Sequence, residues 1–208
     1  FYRDTHVKVS DDFLATLEPQ NEEQSTDKPY LRPNKIEIGK PAVFALLTED
    51  PMEYWLVWGT PKEGGNNSPF RFLEHPSDED IELELGRDFT RAENWDKNGP
   101  DKVYKALTWP IYNWQKKRVE ILEITQISIS RQFVKYGLHK TYSKNLLDWD
   151  FQLDKGNAGG KTKYELMIVP RDEDENDDMQ MTKDWKAALK AGFDLNRLIG
   201  GGDPFKEE

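Results

Sequence analysis

The sequence predicts a mainly β fold: an antiparallel barrel of five or more strands, closed or nearly so, with one helix inserted before the final hairpin and an acidic, partly helical C-terminal tail. Three observations predict it. Short apolar or alternating runs recur between turn-forming clusters from residue 35 to residue 170. One helix-like segment, residues 125–136, interrupts them late in the series. Beyond Pro170 the chain turns acidic and the strand pattern stops. A two-sheet sandwich is the competing β architecture.

Residues 3–17 read as a short helix, with Ser10 or Asp11 as the cap before Phe13, Leu14 and Leu17. Residues 18–34 are polar and hold three prolines, as a linker does, so the chain divides into 1–34, a domain at 35–170 and a tail at 171–208. The apolar run Pro41 to Thr48 predicts a strand buried on both faces, and Glu53 to Gly59 predicts a second strand, packed with rings. Pro61 to Pro69 is a turn, from which Phe70 to Phe72 return. Ile81, Leu83 and Leu85 alternate and predict a further strand in an acidic stretch; residues 94–101 form a loop.

Val103 to Ile124 carries the strongest pattern. Val103, Leu107, Trp109 and Ile111 share one face of an extended chain, and Tyr104, Ala106, Thr108, Tyr112 and Trp114 share the other. A turn at Asn113 to Lys116 leads into a returning strand, Arg118 to Ile124. Thr125 then caps a helix that runs to about Tyr136 and stops at Gly137. Residues 146–153 alternate, with Leu147, Trp149, Phe151 and Leu153 inward and Asp148, Asp150 and Gln152 outward. Gly156 to Gly160 reads as a flexible loop, and Tyr164, Leu166 and Ile168 mark the last strand. The acidic run 172–178 is too charged to bury. Thr182 caps a short helix with Trp185 and Leu189 on one side, ending near Gly192, and Gly200 to Gly202 leave the tip mobile.

Composition removes whole classes of function. The chain has 208 residues and no cysteine, which excludes disulfides, thiolate metal sites and cysteine nucleophiles. No apolar run approaches the roughly 20 residues of a membrane span, and no basic-then-apolar leader occurs, so a soluble intracellular protein is expected. GxSxG, HExxH, Walker-type and dinucleotide glycine motifs are all missing, so no catalytic residue, metal ligand or cofactor is predicted.

The formal charge is −10, but it is unevenly spread. Residues 1–100 hold 11 basic and 21 acidic groups, residues 101–169 hold 12 and 7, and residues 170–208 hold 6 and 11. A positive middle between acidic flanks suits a polyanion partner, because local potential steers a ligand more than net charge does. In that middle, Tyr104, Tyr112 and Trp114 lie opposite the aliphatic face, flanked by Lys102, Lys105, Lys116, Lys117 and Arg118. Rings beside cations on an extended surface suit single-stranded nucleic acid, with bases stacking on rings and cations tracking phosphates. A dimer interface or a minor second core explains the same set equally well.

The hairpin and the last two strands resemble a known family. Trp109-Pro-Ile-Tyr-Asn-Trp114, then Lys117-Arg-Val-Glu-Ile-Leu-Glu-Ile-Thr-Gln126, then Asp148-Trp-Asp-Phe-Gln-Leu153 and Thr162-Lys-Tyr-Glu-Leu-Met-Ile-Val-Pro170 together resemble the single-stranded DNA-binding proteins of tailed bacteriophages. The resemblance covers roughly residues 40–170 and is strongest over 103–126. It implies an oligonucleotide/oligosaccharide-binding (OB) barrel without catalytic activity, phage-encoded and working in the cytoplasm of the bacterial host. Its task would be to coat single strands in DNA replication, recombination and repair. It also implies an acidic tail whose tip, here Asp203, Pro204 and Phe205, recruits replication proteins such as a polymerase or helicase. The chain departs from that pattern in placing Lys206-Glu-Glu208 after Phe205. A homodimer is compatible with this reading. A carbohydrate-binding β module and a protein-interaction or assembly protein are the alternatives.

Overall fold

A computed structural model describes residues 28–94, 96–171 and 175–206, so the helix expected at 3–17 lies outside the described residues. Among the described residues nine strands form one mixed sheet: β1 (Tyr30–Leu31), β2 (Ala42–Leu46), β3 (Met52–Pro61), β4 (Ser68–Phe72), β5 (Phe89–Arg91), β6 (Tyr104–Asn113), β7 (Arg118–Ile124), β8 (Trp149–Ala158) and β9 (Lys161–Pro170). Among the described residues three α-helices accompany them: α1 (Asp78–Leu85), α2 (Ile127–Gly137) and α3 (Glu175–Lys190).

The β6–β7 hairpin is the axis of the molecule, paired from Leu107↔Ile124 to Asn113↔Arg118. The Asn113 side-chain carbonyl accepts the backbone N–H groups of Gln115 and Lys116, both at 3.1 Å, which closes the turn locally. The other edge of β6 is shared. Its C-terminal half pairs with β2 and its N-terminal half with β3, so the chain bends sharply between Leu46 and Met52. β2 also pairs with β8, and β8 with β9, giving the order β1-β7-β6-β2-β8-β9.

The sheet does not close. Between β7 and β9 stands α2, whose side chains bond to β9 where a strand otherwise would. Gln132 accepts from Leu166 N at 2.8 Å, and the Tyr136 hydroxyl donates to Leu166 O at 3.0 Å. These bonds satisfy part of an open edge. Inside lies a ring-rich core: Phe44 stacks on Phe151 at 5.8 Å, Phe133 meets Trp109 at 4.9 Å and Phe151 at 5.1 Å, and Ile111, Leu122, Ile124 and Ile129 fill around them.

Several local expectations need correction. The segment with Ile81, Leu83 and Leu85 is helix α1, because Ser77 and Asp80 form a reciprocal capping box. Ile81 and Leu85, four apart, pack against Val57, while Leu83 is exposed. Gly59 makes room for them: a Cβ there would lie 2.7 Å from the Leu85 Cδ2. Helix α2 is preceded by Gln126 rather than Thr125, and Gly137 is its last helical residue rather than a left-handed stop. The expected loop at 156–160 is mostly strand, and only Gly159 and Gly160, at φ +60° and +77°, make the turn. Helix α3 starts at Glu175, seven residues before Thr182, and turns Trp185 inward but Leu189 outward.

The segment 192–206, expected to end in a mobile tip, is packed and hydrogen-bonded. Gly192, at φ +85°, ends α3 with bonds from Gly192 N to Leu189 O and from Phe193 N to Ala188 O. Phe193 then sits between Trp185 and Phe205 at 5.3 and 4.9 Å. Asp194 N donates to Pro204 O, and Arg197 donates to the carbonyls of Gly192 and Lys206.

Candidate functional site

The two-face division of the hairpin holds, but the ring-bearing face is largely covered. Leu107, Trp109 and Ile111 belong to the main core. On the other face Tyr112 and Val119, with Ala45 of β2, are buried beneath Met181, Trp185, Ala188 and Phe205, and Trp114 is half-buried among them. The Tyr112 hydroxyl donates to Asp184 of α3 at 3.2 Å, and the Trp114 ring meets Tyr112 edge-on at 4.9 Å. The same cover explains Asp150, expected outward but buried, where Arg171 Nε donates to it at 2.9 Å. Burial raises the Asp150 pKa, and the Arg171 bond opposes the rise. Trp149, expected in the core, is half-buried and packs edge-on against Tyr142 instead.

The cations expected to track phosphate are engaged. Arg118 and Lys116 bind the fully buried Glu120 carboxylate at 2.6 and 3.1 Å, alongside Asn113 at 2.9 Å. Lys117 pairs with Asp177 of α3 at 3.2 Å, and Lys105 with Glu53 at 2.6 Å. Lys102 lies 5.1 Å above the half-buried Tyr104 ring, whose hydroxyl donates to Asp101. At the tip, Pro204 is buried, Phe205 is half-buried and Asp203 is exposed. The structure thus brings Tyr112, Trp114 and Lys117 together with α3, and leaves Lys102, Tyr104 and Lys105 at the far end of β6.

The same face opens near that far end. A groove of about 760 Å³ runs between the sheet and the C-terminal segment, lined among others by Tyr30, Arg32, Trp58, Arg71 and Glu123, with Leu198, Asp203 and Lys206 across from them. Tyr30 and Trp58 are half-buried rings, and the Arg32 guanidinium lies 5.6 Å above Tyr30. The groove wall contains a polar network. Arg71, with its side chain 9% exposed, donates to Glu123 at 2.9 and 3.1 Å. Tyr54 donates to Glu123, and Thr108 donates to Tyr54 at 2.8 Å. Leu195, Leu198 and Ile199 pack into the apolar part of this face beside Tyr30, Trp58 and Tyr104.

Sequence reading missed Tyr30, Arg32, Trp58 and Arg71. Tyr30 and Arg32 fell in the proline-bearing linker, and Trp58 belonged to a ring-rich strand to which no binding role was given. The one local signal was Arg71, a cation in the middle of Phe70-Arg-Phe72.

Burial and the Glu123 charge raise the Tyr54 pKa, and Tyr104 and Tyr112 are pushed up to about 12 by burial and by their bonds to Asp101 and Asp184. A free tyrosine titrates near about 10. Folding stability held by these protonated rings is therefore complete below about pH 10 and lost as pH rises from there through about 12. The denaturant midpoint should fall across that window, and Tyr112→Phe should flatten part of the fall. An equal slope in Tyr112→Phe would assign the loss elsewhere.

No protein-family model, curated protein or solved structure matches this chain. Among the described residues no helix is long and apolar enough to cross a membrane.

Proposed function

We propose that the chain is a non-catalytic single-stranded DNA-binding protein, and that the groove bearing Tyr30, Arg32, Trp58 and Arg71 is where the strand first engages. The observation that carries the reading is the pairing of half-buried rings with cations along one concave face. Unpaired bases stack on such rings while guanidinium and ammonium groups meet phosphates; a duplex keeps its base faces hidden. The strand order β7-β6-β2-β8-β9, with a helix between β7 and β8, supports an OB-like barrel whose remaining seam is filled by α2.

On this reading the protein coats single strands in phage replication, recombination and repair, as the resemblance of its hairpin implies. Full occupancy of the face requires the C-terminal segment to lift, which would uncover Tyr104, Tyr112 and Trp114 and free Lys117 from Asp177. The same movement would release Asp203, Pro204 and Phe205 for recruitment of replication proteins.

Tryptophan fluorescence titrated with oligo-dT tests the reading. Quenching should saturate with oligo-dT, weaken with added salt as counterions are released, and be much weaker with duplex DNA. Trp58→Ala should cost about 1–3 kcal/mol of binding, the worth of one stacked base, and Arg32→Ala should weaken binding and reduce its salt dependence. Equal binding to duplex and single strand, or none at low salt, overturns the proposal.

A further inference from the structure

A second groove, of about 540 Å³, lies on the α2 side of the molecule, lined by Leu107, Trp109, Ile127, Phe133, Val134 and Leu146 among others. It is distinct from the ring-lined face. Helix α2 turns Ile129 and Phe133 into the core, yet Ile127, Val134 and, just past its end, Leu138 are 60, 55 and 80% exposed. With Arg131 they stand at i, i+4, i+7 and i+11, so one ridge presents three aliphatic side chains and a guanidinium to solvent. A helix face that meets only water is polar. The charge around this ridge is one-sided in a chain of net charge −10. From Ile124 to Leu147 there are four cations, Arg131, Lys135, Lys140 and Lys144, and no carboxylate. All four are exposed, and none enters an ion pair among the described residues. Across the trough Glu53 is held by Lys105 at 2.6 Å, which leaves Glu49 as the lining carboxylate outside an ion pair among those residues.

We propose that this trough docks an acidic amphipathic helix of a partner protein, with its apolar stripe between α2 and β6 and its carboxylates toward Arg131 and Lys135. Helix-in-groove recognition needs apolar anchors against an apolar trough. Both walls supply one: Leu107 and Trp109 from β6, and Ile127, Phe133 and Val134 from α2. Cations along the α2 side attract carboxylates and repel a basic segment, which selects the partner and fixes its orientation. Nucleic acid fits this surface less well. The two rings in its wall, Trp109 and Phe133, are buried and stacked on each other at 4.9 Å, so no ring face is open to a base. A bilayer fits less well too, because a flat surface would touch the ridge and leave the trough empty. This inference does not rest on the DNA-binding reading.

Fluorescence anisotropy of a labelled peptide, titrated with the full-length chain, tests the proposal. The probe spans about four helical turns, with Leu at i, i+4, i+7 and i+11 and Glu at most other positions; its counterpart carries Lys in place of Glu. The Leu/Glu peptide should bind, and the Leu/Lys peptide should bind about tenfold or more weakly. Val134→Asp puts a carboxylate in the trough wall and should weaken the Leu/Glu peptide about tenfold or more, whereas Leu83→Asp, 83% exposed on α1, should not. Arg131→Glu with Lys135→Glu should weaken it several-fold more than Lys183→Glu with Lys186→Glu, the same change of net charge at exposed positions of α3. No binding of the Leu/Glu peptide at low salt, equal binding of the two peptides, or equal effects of the two reversals overturns the proposal. Binding to vesicles of phosphatidylglycerol and phosphatidylcholine that Val134→Asp abolishes, with the peptide left unbound, overturns it in favour of a lipid surface. A peptide that oligo-dT displaces and Val134→Asp leaves bound sits on the ring-lined face, which also overturns it.

Discussion

Glu123→Ala should lower folding stability by about 3–5 kcal/mol, the range expected when one partner of a buried ion pair is removed. Arg71 is held in the groove wall by two bonds to Glu123, and Tyr54 also donates to that carboxylate. With Glu123 gone, a guanidinium only 9% exposed keeps its charge and loses its counterion, and the Tyr54 hydroxyl loses its acceptor. Chemical denaturation at neutral pH measures the loss. Adding Arg71→Met to Glu123→Ala should restore much of it, because the stranded charge goes too and an apolar chain of similar length fills the space. A loss below about 1 kcal/mol would mean that the pair behaves as a solvated surface bridge. In the single variant, oligo-dT affinity should rise once corrected for the folded fraction, since Arg71 then faces the groove without its carboxylate.

That network was invisible in the sequence for a geometric reason. Tyr54, Arg71, Thr108 and Glu123 come from β3, β4, β6 and β7, and meet only because β3 pairs with both β4 and β6, and β6 with β7. The strands themselves were legible. An apolar run, a ring-rich run and a turn placed β2, β3 and β4 close to where they lie, and in the β6–β7 hairpin period-two alternation correctly set Leu107, Trp109 and Ile111 against Tyr112 and Trp114. Alternation tells which residues share a face, but not what covers it. Hence Tyr112 and Asp150 were expected to meet solvent and are buried under the segment that begins with α3. Helix α1 was misread because Ile81 and Leu85, four apart, fit both a strand and a helix. The deciding sign was Ser77 with Asp80, a cap that only a helix uses.

Deleting residues 172–208 should lower the melting temperature and, in the molecules that remain folded, tighten oligo-dT binding by at least about tenfold, since each newly exposed stacking ring is worth about 1–3 kcal/mol. The stability cost follows from cover. Met181, Trp185, Ala188 and Phe205 shield Tyr112 and Val119, and Leu198 packs against Tyr54, Leu56 and Ala106. Each large side chain exposed costs about 1.5–3 kcal/mol. The affinity gain has two sources: uncovered rings, and a net charge that moves from −10 to −4 when 5 basic and 11 acidic groups leave. Leu198→Asp separates them. It expels the turn at Leu195–Leu198 by placing a carboxylate at a position 1% exposed, yet makes the chain more negative by one charge. If Leu198→Asp tightens binding, uncovering Tyr30, Trp58 and Tyr104 is responsible; if only the deletion does, electrostatic competition by the acidic residues is enough. Should the deletion melt early and leave affinity unchanged or weaker, the segment serves the fold alone and the covered-face reading fails.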